Sequence, residues 1–138
     1  IPHIFDRRYV YEYPERLDIE AMKRAASFLT GKHDFKAFTS TKKGKKSTVR
    51  TIESIAIDRI EDEIRLTYQG DGFLYHMVRI LTGTLLEVGA GEKKPEDIKG
   101  ILESGLREKA GTLVPAKGLT LAAVRYHDRS FYEENGKW

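Results

Sequence analysis

Residues 8–13 alternate strictly. Tyr9, Tyr11 and Tyr13 share one face while Arg8, Val10 and Glu12 share the other, which predicts a β-strand stopped by Pro14. Asp18 then offers an N-cap for a helix over residues 19–29, where Ile19, Met22, Ala26 and Leu29 form one apolar stripe and Gly31 ends the run. A short connection, residues 33–38, carries Phe35 and Phe38 as covers for one end of a core. Residues 49–60 alternate again, with Ile55 and Ile57 opposite Ser54 and Ala56. Glu61-Asp62 marks a turn into a second strand bearing Ile64, Leu66 and Tyr68, so the pair reads as a hairpin.

Residues 73–89 change period. Leu74, Val78, Leu81, Leu85 and Val88 fall on one helical stripe, and Gly70-Asp71-Gly72 is expected to open this helix. Pro95 suits the first turn of a further helix running to about Leu102. Residues 105–118 read as loop, residues 119–126 as a last strand, and residues 128–138 as a frayed tail. The order β-α-β-β-α-(α)-β implies a single α+β domain over residues 1–138 on the ferredoxin-like βαββαβ plan. It has an extra helix toward the C-terminus, an antiparallel sheet and the helices on one face. The other sheet face then needs covering by water, RNA or another domain.

Composition narrows the chemistry. With 138 residues, 40% hydrophobic and 33% charged, the chain suits one globular domain with a core. It has no cysteine, so disulfides, thiolate metal sites and cysteine nucleophiles are excluded. No apolar run approaches the roughly 20 residues of a membrane span, and no signal peptide opens the chain; a cytoplasmic location without membrane association is expected. The first residue, Ile1, suggests a piece of something longer. Net charge is only +3, yet residues 35–52 hold no acid while carrying Lys36, Lys42, Lys43, Lys45, Lys46 and Arg50. That block reads as a basic loop suited to a phosphate backbone, or as a merely solvated one.

The second face of the helix at 73–89 is unusual. Arg79 and Glu87 are its only ionised groups, and a helix apolar nearly all round is buried on both sides. Arg79 therefore projects toward something that covers it. A guanidinium cannot shed its proton, and burying it unpaired costs several kcal/mol, so it wants an anion. Three partners are open: an internal carboxylate such as Asp58 or Glu53, a phosphate, or a carboxylate from outside the chain.

Other signals are weaker. His33, His76 and His127 lack metal-ligand spacing, so no metal is expected. His76 could serve as a general acid or base, and a hydrolase would need His33 and His76 to converge. Gly70-x-Gly72 lacks the further residues of a nucleotide-binding loop.

Phe73-Leu74-Tyr75-His76-Met77-Val78-Arg79 followed by Gly83-Thr84-Leu85-Leu86-Glu87-Val88-Gly89 resembles the tRNA pseudouridine synthase A family, the TruA-type enzymes. So do Arg107-x-x-Ala110-Gly111, Pro115-Ala116 and Gly118-Leu119-x-Leu121-x-x-Val124-x-Tyr126. Upstream, His33-Asp34-Phe35-x-Ala37-Phe38 and Val49-Arg50-Thr51-Ile52 fit as well. The resemblance runs through residues 5–127 in order.

It implies an enzyme that isomerises uridine to pseudouridine in the tRNA anticodon stem-loop, homodimeric and without a cofactor. An aspartate acts as nucleophile, a tyrosine stacks on the base, and a basic residue, here Arg79, pairs with the aspartate. The family's Arg-Thr-Asp-x-Gly-type motif is missing from this sequence. The resemblance is thus to the C-terminal half, whose partner half would supply the aspartate and pack alongside in one continuous sheet, covering the second face of the Arg79 helix. Met77, Leu119 and Leu121 are the choices for apolar cleft lining, and Lys42, Lys43, Lys45, Lys46 and Arg50 for RNA contact. The competing reading is a non-catalytic RNA-binding module of ferredoxin-like plan in which Arg79 holds a phosphate.

Overall fold

The computed structural model describes residues 4–12, 16–40 and 46–124. In chain order the elements are β1 (Phe5–Glu12), α1 (Ile19–Ser27), β2 (Gly31–Asp34), β3 (Val49–Ile60), β4 (Glu63–Gly70), α2 (Met77–Gly89), α3 (Asp97–Ser104) and β5 (Leu119–Val124). Short 3-10 turns lie at Lys36–Phe38, Arg107–Lys109 and Ala116–Gly118. The strands form one sheet in the order β2-β3-β4-β1-β5, and every neighbouring pair is antiparallel. Without β2 this is the split βαβ arrangement, with β4 inserted between β1 and β3, so the ferredoxin-like α+β expectation holds.

One sheet face carries the core. Along β4, Ile64, Leu66 and Tyr68 are buried, and the register sets Tyr9 and Ile57 on either side of Leu66. Met22, Ala25, Ala26 and Leu29 from α1 and Val78, Leu81, Leu85 and Val88 from α2 join the same cluster. The opposite face bears Arg8, Ser54, Ala56, Asp58, Arg65, Thr67 and Gln69, half-buried or exposed, as a solvated antiparallel sheet face should. Asp18 caps α1 as expected, its carboxylate accepting from the Ala21 N–H at 3.0 Å. Among the described residues no helix is long and apolar enough to cross a membrane.

Three expectations need correction. Residues 31–34 are a strand rather than a connection. β2 pairs with β3 along the sheet edge, and its mostly exposed side chains leave no hydrophobic alternation to betray it. The first strand begins at Phe5, since Phe5, Asp6 and Arg7 are all buried despite the two charges. The Arg79 helix starts at Met77 instead of residue 73. Gly70 belongs to β4, and Asp71 is tied to β3, its carboxylate accepting from the Thr51 N–H at 2.9 Å. His76, at φ 63, then turns the chain through the left-handed region immediately before the helix.

Candidate functional site

Ten of the 13 residues of α2 are buried, so the inference of burial on both sides was sound. What covers the second face differs from expectation. It is a strap from this same chain, residues 107–115. Gly111 N–H donates to Thr84 Oγ1 at 2.8 Å, and Thr84 in turn donates to the Ile80 carbonyl at 2.8 Å. Glu87 Oε2 accepts from both the Thr112 N–H, at 2.9 Å, and the Thr112 hydroxyl, at 3.0 Å. Arg107 Nη1 closes the strap on itself at the Gly111 carbonyl, 2.9 Å away. The approach is so tight that a Cβ on Gly83 would sit 1.7 Å from the Thr112 carbonyl oxygen. Part of the face stays open as a groove of about 270 Å³ whose lining includes Tyr11, Leu17, Leu86, Ala90 and Val114.

The strap delivers its last residues to Arg79. Arg79 Nε donates to the Val114 carbonyl at 2.7 Å, while Val114 N–H donates to the Arg79 carbonyl at 3.4 Å. Tyr9 on β1 holds the next carbonyl, Pro115, through its hydroxyl at 2.7 Å. The guanidinium is half-buried, and no carboxylate among the described residues forms an ion pair with it. Asp58 and Glu53, the internal candidates, are exposed elsewhere, Asp58 opposite Arg65 in the β3–β4 register.

Beside Arg79 lies a hollow of about 10 Å³, room for one water, lined by Arg7, Phe73, Leu74, His76, Met77, Val78, Arg79 and Leu119. Arg7 is fully buried, its guanidinium 5.5 Å from the Phe5 ring centroid and 5.6 Å from that of Phe73. Arg7 and Arg79 both line this hollow.

Titratable neighbours register this positive field. The His76 pKa is lowered, first by burial and then by Arg79 and Arg107. Burial raises the Tyr9 pKa, with Arg79 opposing. Burial alone would raise that of Glu87. The bond from Lys93 (Nζ to Oε1, 2.7 Å) and the two from Thr112 outweigh it and hold the carboxyl below its ordinary value.

Of the residues singled out in the sequence, the fold brings Arg79, Met77 and Leu119 to one hollow. Leu121 follows on β5, but its side chain lies outside what is described. Lys42, Lys43 and Lys45 are outside the described residues, as are Tyr13, His127 and the 128–138 tail. Lys46 is exposed, and Arg50 Nη1 bonds locally to the carbonyls of Ser47, at 2.9 Å, and Val49, at 2.8 Å. His33 and His76 have separate partners, the Thr30 carbonyl and the Ser40 hydroxyl, so no His pair forms.

The sequence reading passed over Arg7 and Thr112, and saw Tyr9 only as a strand position and Glu87 only as a charge on the helix. Their role rests on contacts between positions far apart in the chain, and its only trace in the sequence is the missing side chains of Gly83 and Gly111.

Comparison with known proteins fits this geometry. A protein named tRNA pseudouridine synthase A 2 from Clostridium perfringens is 48% identical over 125 residues, covering 91% of this chain and 51% of that protein. One of the same name from Clostridium tetani is 49% identical over 121 residues, covering 88% and 49%. tRNA pseudouridine synthase A from Brevibacillus brevis is 44% identical over 126 residues, covering 91% and 52%. The chain spans about half the length of these relatives. A family model described as tRNA pseudouridine synthase matches residues 25–127, a stretch that takes in α2, the strap and the whole of β5, and the chain belongs to that family.

Proposed function

We propose that this chain is the C-terminal half of a tRNA pseudouridine synthase and that Arg79 pairs with a nucleophilic aspartate supplied by the N-terminal half. The observation that carries the reading is Arg79 itself. Its Nε is anchored on a backbone carbonyl at the lip of a hollow shared with Arg7, and no carboxylate of the described chain neutralises it. A nucleophilic carboxylate entering a dry pocket has its pKa raised by desolvation, and an adjacent guanidinium lowers it and fixes its rotamer. Arg suits this better than Lys, because one N–H can serve Val114 while others remain for the acid.

In this reading Met77, Leu119 and Leu121 line the apolar side of the cleft. β5, at the end of the sheet order, has an outer edge to which the other half adds. Lys42, Lys43, Lys45, Lys46 and Arg50 track the phosphates of the tRNA anticodon stem-loop. The whole enzyme is a cytoplasmic homodimer needing no cofactor, and this half alone turns nothing over.

The experiment is Arg79→Ala in the protein carrying both halves, with pseudouridine formation and tRNA affinity measured separately. Turnover should fall by at least about 10²-fold, as when a single preorganised electrostatic contact is removed, with affinity nearly unchanged. An equal loss of both would favour the alternative, in which Arg79 grips a phosphate and the chain is a non-catalytic RNA-binding module.

A further inference from the structure

We propose that Glu87 is a positioning residue for the reaction: it pins the 107–115 strap, and the strap holds the Arg79 guanidinium in its working orientation. The proposal rests on the reading of Arg79 as the partner of the nucleophile. Glu87 lies two turns along α2 from Arg79, too far to act by contact. Its reach is through the strap. One carboxylate oxygen accepts two bonds from Thr112, and the other accepts Lys93. Two residues further on, Val114 exchanges bonds with Arg79 in both directions.

The chemistry of each part suits the task. A carboxylate is acceptor-only with two oxygens, so it can serve three donors at once. A guanidinium is a planar fork, so fixing Nε fixes the direction of both terminal nitrogens. The strap can transmit position because it is seated at other points as well. Gly111 rests on the Thr84 hydroxyl, and the Pro115 carbonyl is held by Tyr9. With Glu87 removed, the Thr112 N–H and hydroxyl lose their acceptor, and the segment between those two fixed points is free to shift. A displacement of about 1 Å in a positioning element can cost about 10²-fold in rate.

The test uses Glu87→Ala, Glu87→Gln and Thr112→Val in the two-half protein, with Arg79→Ala in parallel. Glu87→Ala should lower kcat by about 10- to 100-fold while the KM for tRNA stays within about twofold. Glu87→Gln, whose amide oxygen still accepts from Thr112, should recover most of the rate, and Thr112→Val should fall between. A readout independent of turnover is the Arg79 Nε–H in the two-half protein, followed by NMR. Its slow exchange should become fast in Glu87→Ala, while amides of the β3–β4 hairpin keep their protection.

Unchanged kcat in Glu87→Ala beside a dead Arg79→Ala would overturn the strap proposal alone. An active Arg79→Ala would overturn the functional reading beneath it. Should Glu87→Ala fail to fold, Thr112→Val and the Nε–H exchange decide. A protected Nε–H together with full turnover in Thr112→Val would count against the strap.

Discussion

His76 shows how a single residue's setting outweighs its type. It stands in left-handed backbone at the foot of α2, its ring stacked 3.7 Å from that of Tyr75 and its Nδ1 2.9 Å from the Ser40 hydroxyl. That backbone is strained for a residue other than glycine, so the surrounding bonds must hold it. The Thr39 hydroxyl and the Ser40 N–H do so, both donating to the Tyr75 carbonyl. Burial and the two arginines lower the His76 pKa from the ordinary 6.5, so the unfolded chain binds a proton more readily than the folded one. Stability contributed by this residue is therefore full above 6.5 and falls as the pH drops from 6.5 toward the folded pKa. An NMR titration of this chain should place the His76 midpoint below 6.5, and Arg107→Ala should move it upward. A midpoint at or above the ordinary value would mean that neither the burial nor the positive field acts on this ring. From the sequence His76 looked like a possible acid or base; in the structure it is the left-handed residue that opens α2, anchored on Ser40.

At the scale of elements, the strap matters most and was least visible. Residues 105–118 read as loop because they have no period, and they do lack regular structure apart from two 3-10 turns. The order in this segment comes from side chains on α2, from Tyr9 on β1 and from Arg107 within the strap. Gly111 is the point of closest approach to the Thr84 backbone, where a Cβ would meet the Thr84 Cα at 2.6 Å and the Thr84 N at 2.7 Å, atoms that cannot swing aside. Gly111→Ala should destabilise the chain by about 1–3 kcal/mol, as overpacking does, read as a lower Tm. It should also loosen the Arg79 Nε–H. A wild-type Tm would mean that the strap is not seated as described. The strongly periodic elements behaved differently. β3 spans residues 49–60 as read, and α1 has the cap and core stripe its sequence announces, because each is set by a local pattern facing one core. β2, exposed along the sheet edge, had no such pattern to show.

For the whole molecule, the proposed contact of the basic residues with tRNA phosphates has a direct test in salt dependence. Replacing Lys42, Lys43, Lys45 and Lys46 with Ala in the two-half protein should weaken tRNA binding and flatten the slope of log K against log salt. The slope should change by about 0.7–0.9 for each phosphate that is no longer neutralised, with kcat retained; an unchanged slope would return the loop to plain solvation. The sequence by itself determined the succession β1, α1, β3, β4, α2 and β5 and the burial of α2 on both sides. Both follow from hydrophobic period. Only the tertiary structure decided what covers α2 and how Arg79 is aimed. Thr112, Val114 and Tyr9 lie far along the chain from the helix they serve, and hydrogen bonds between such positions leave no local pattern to read.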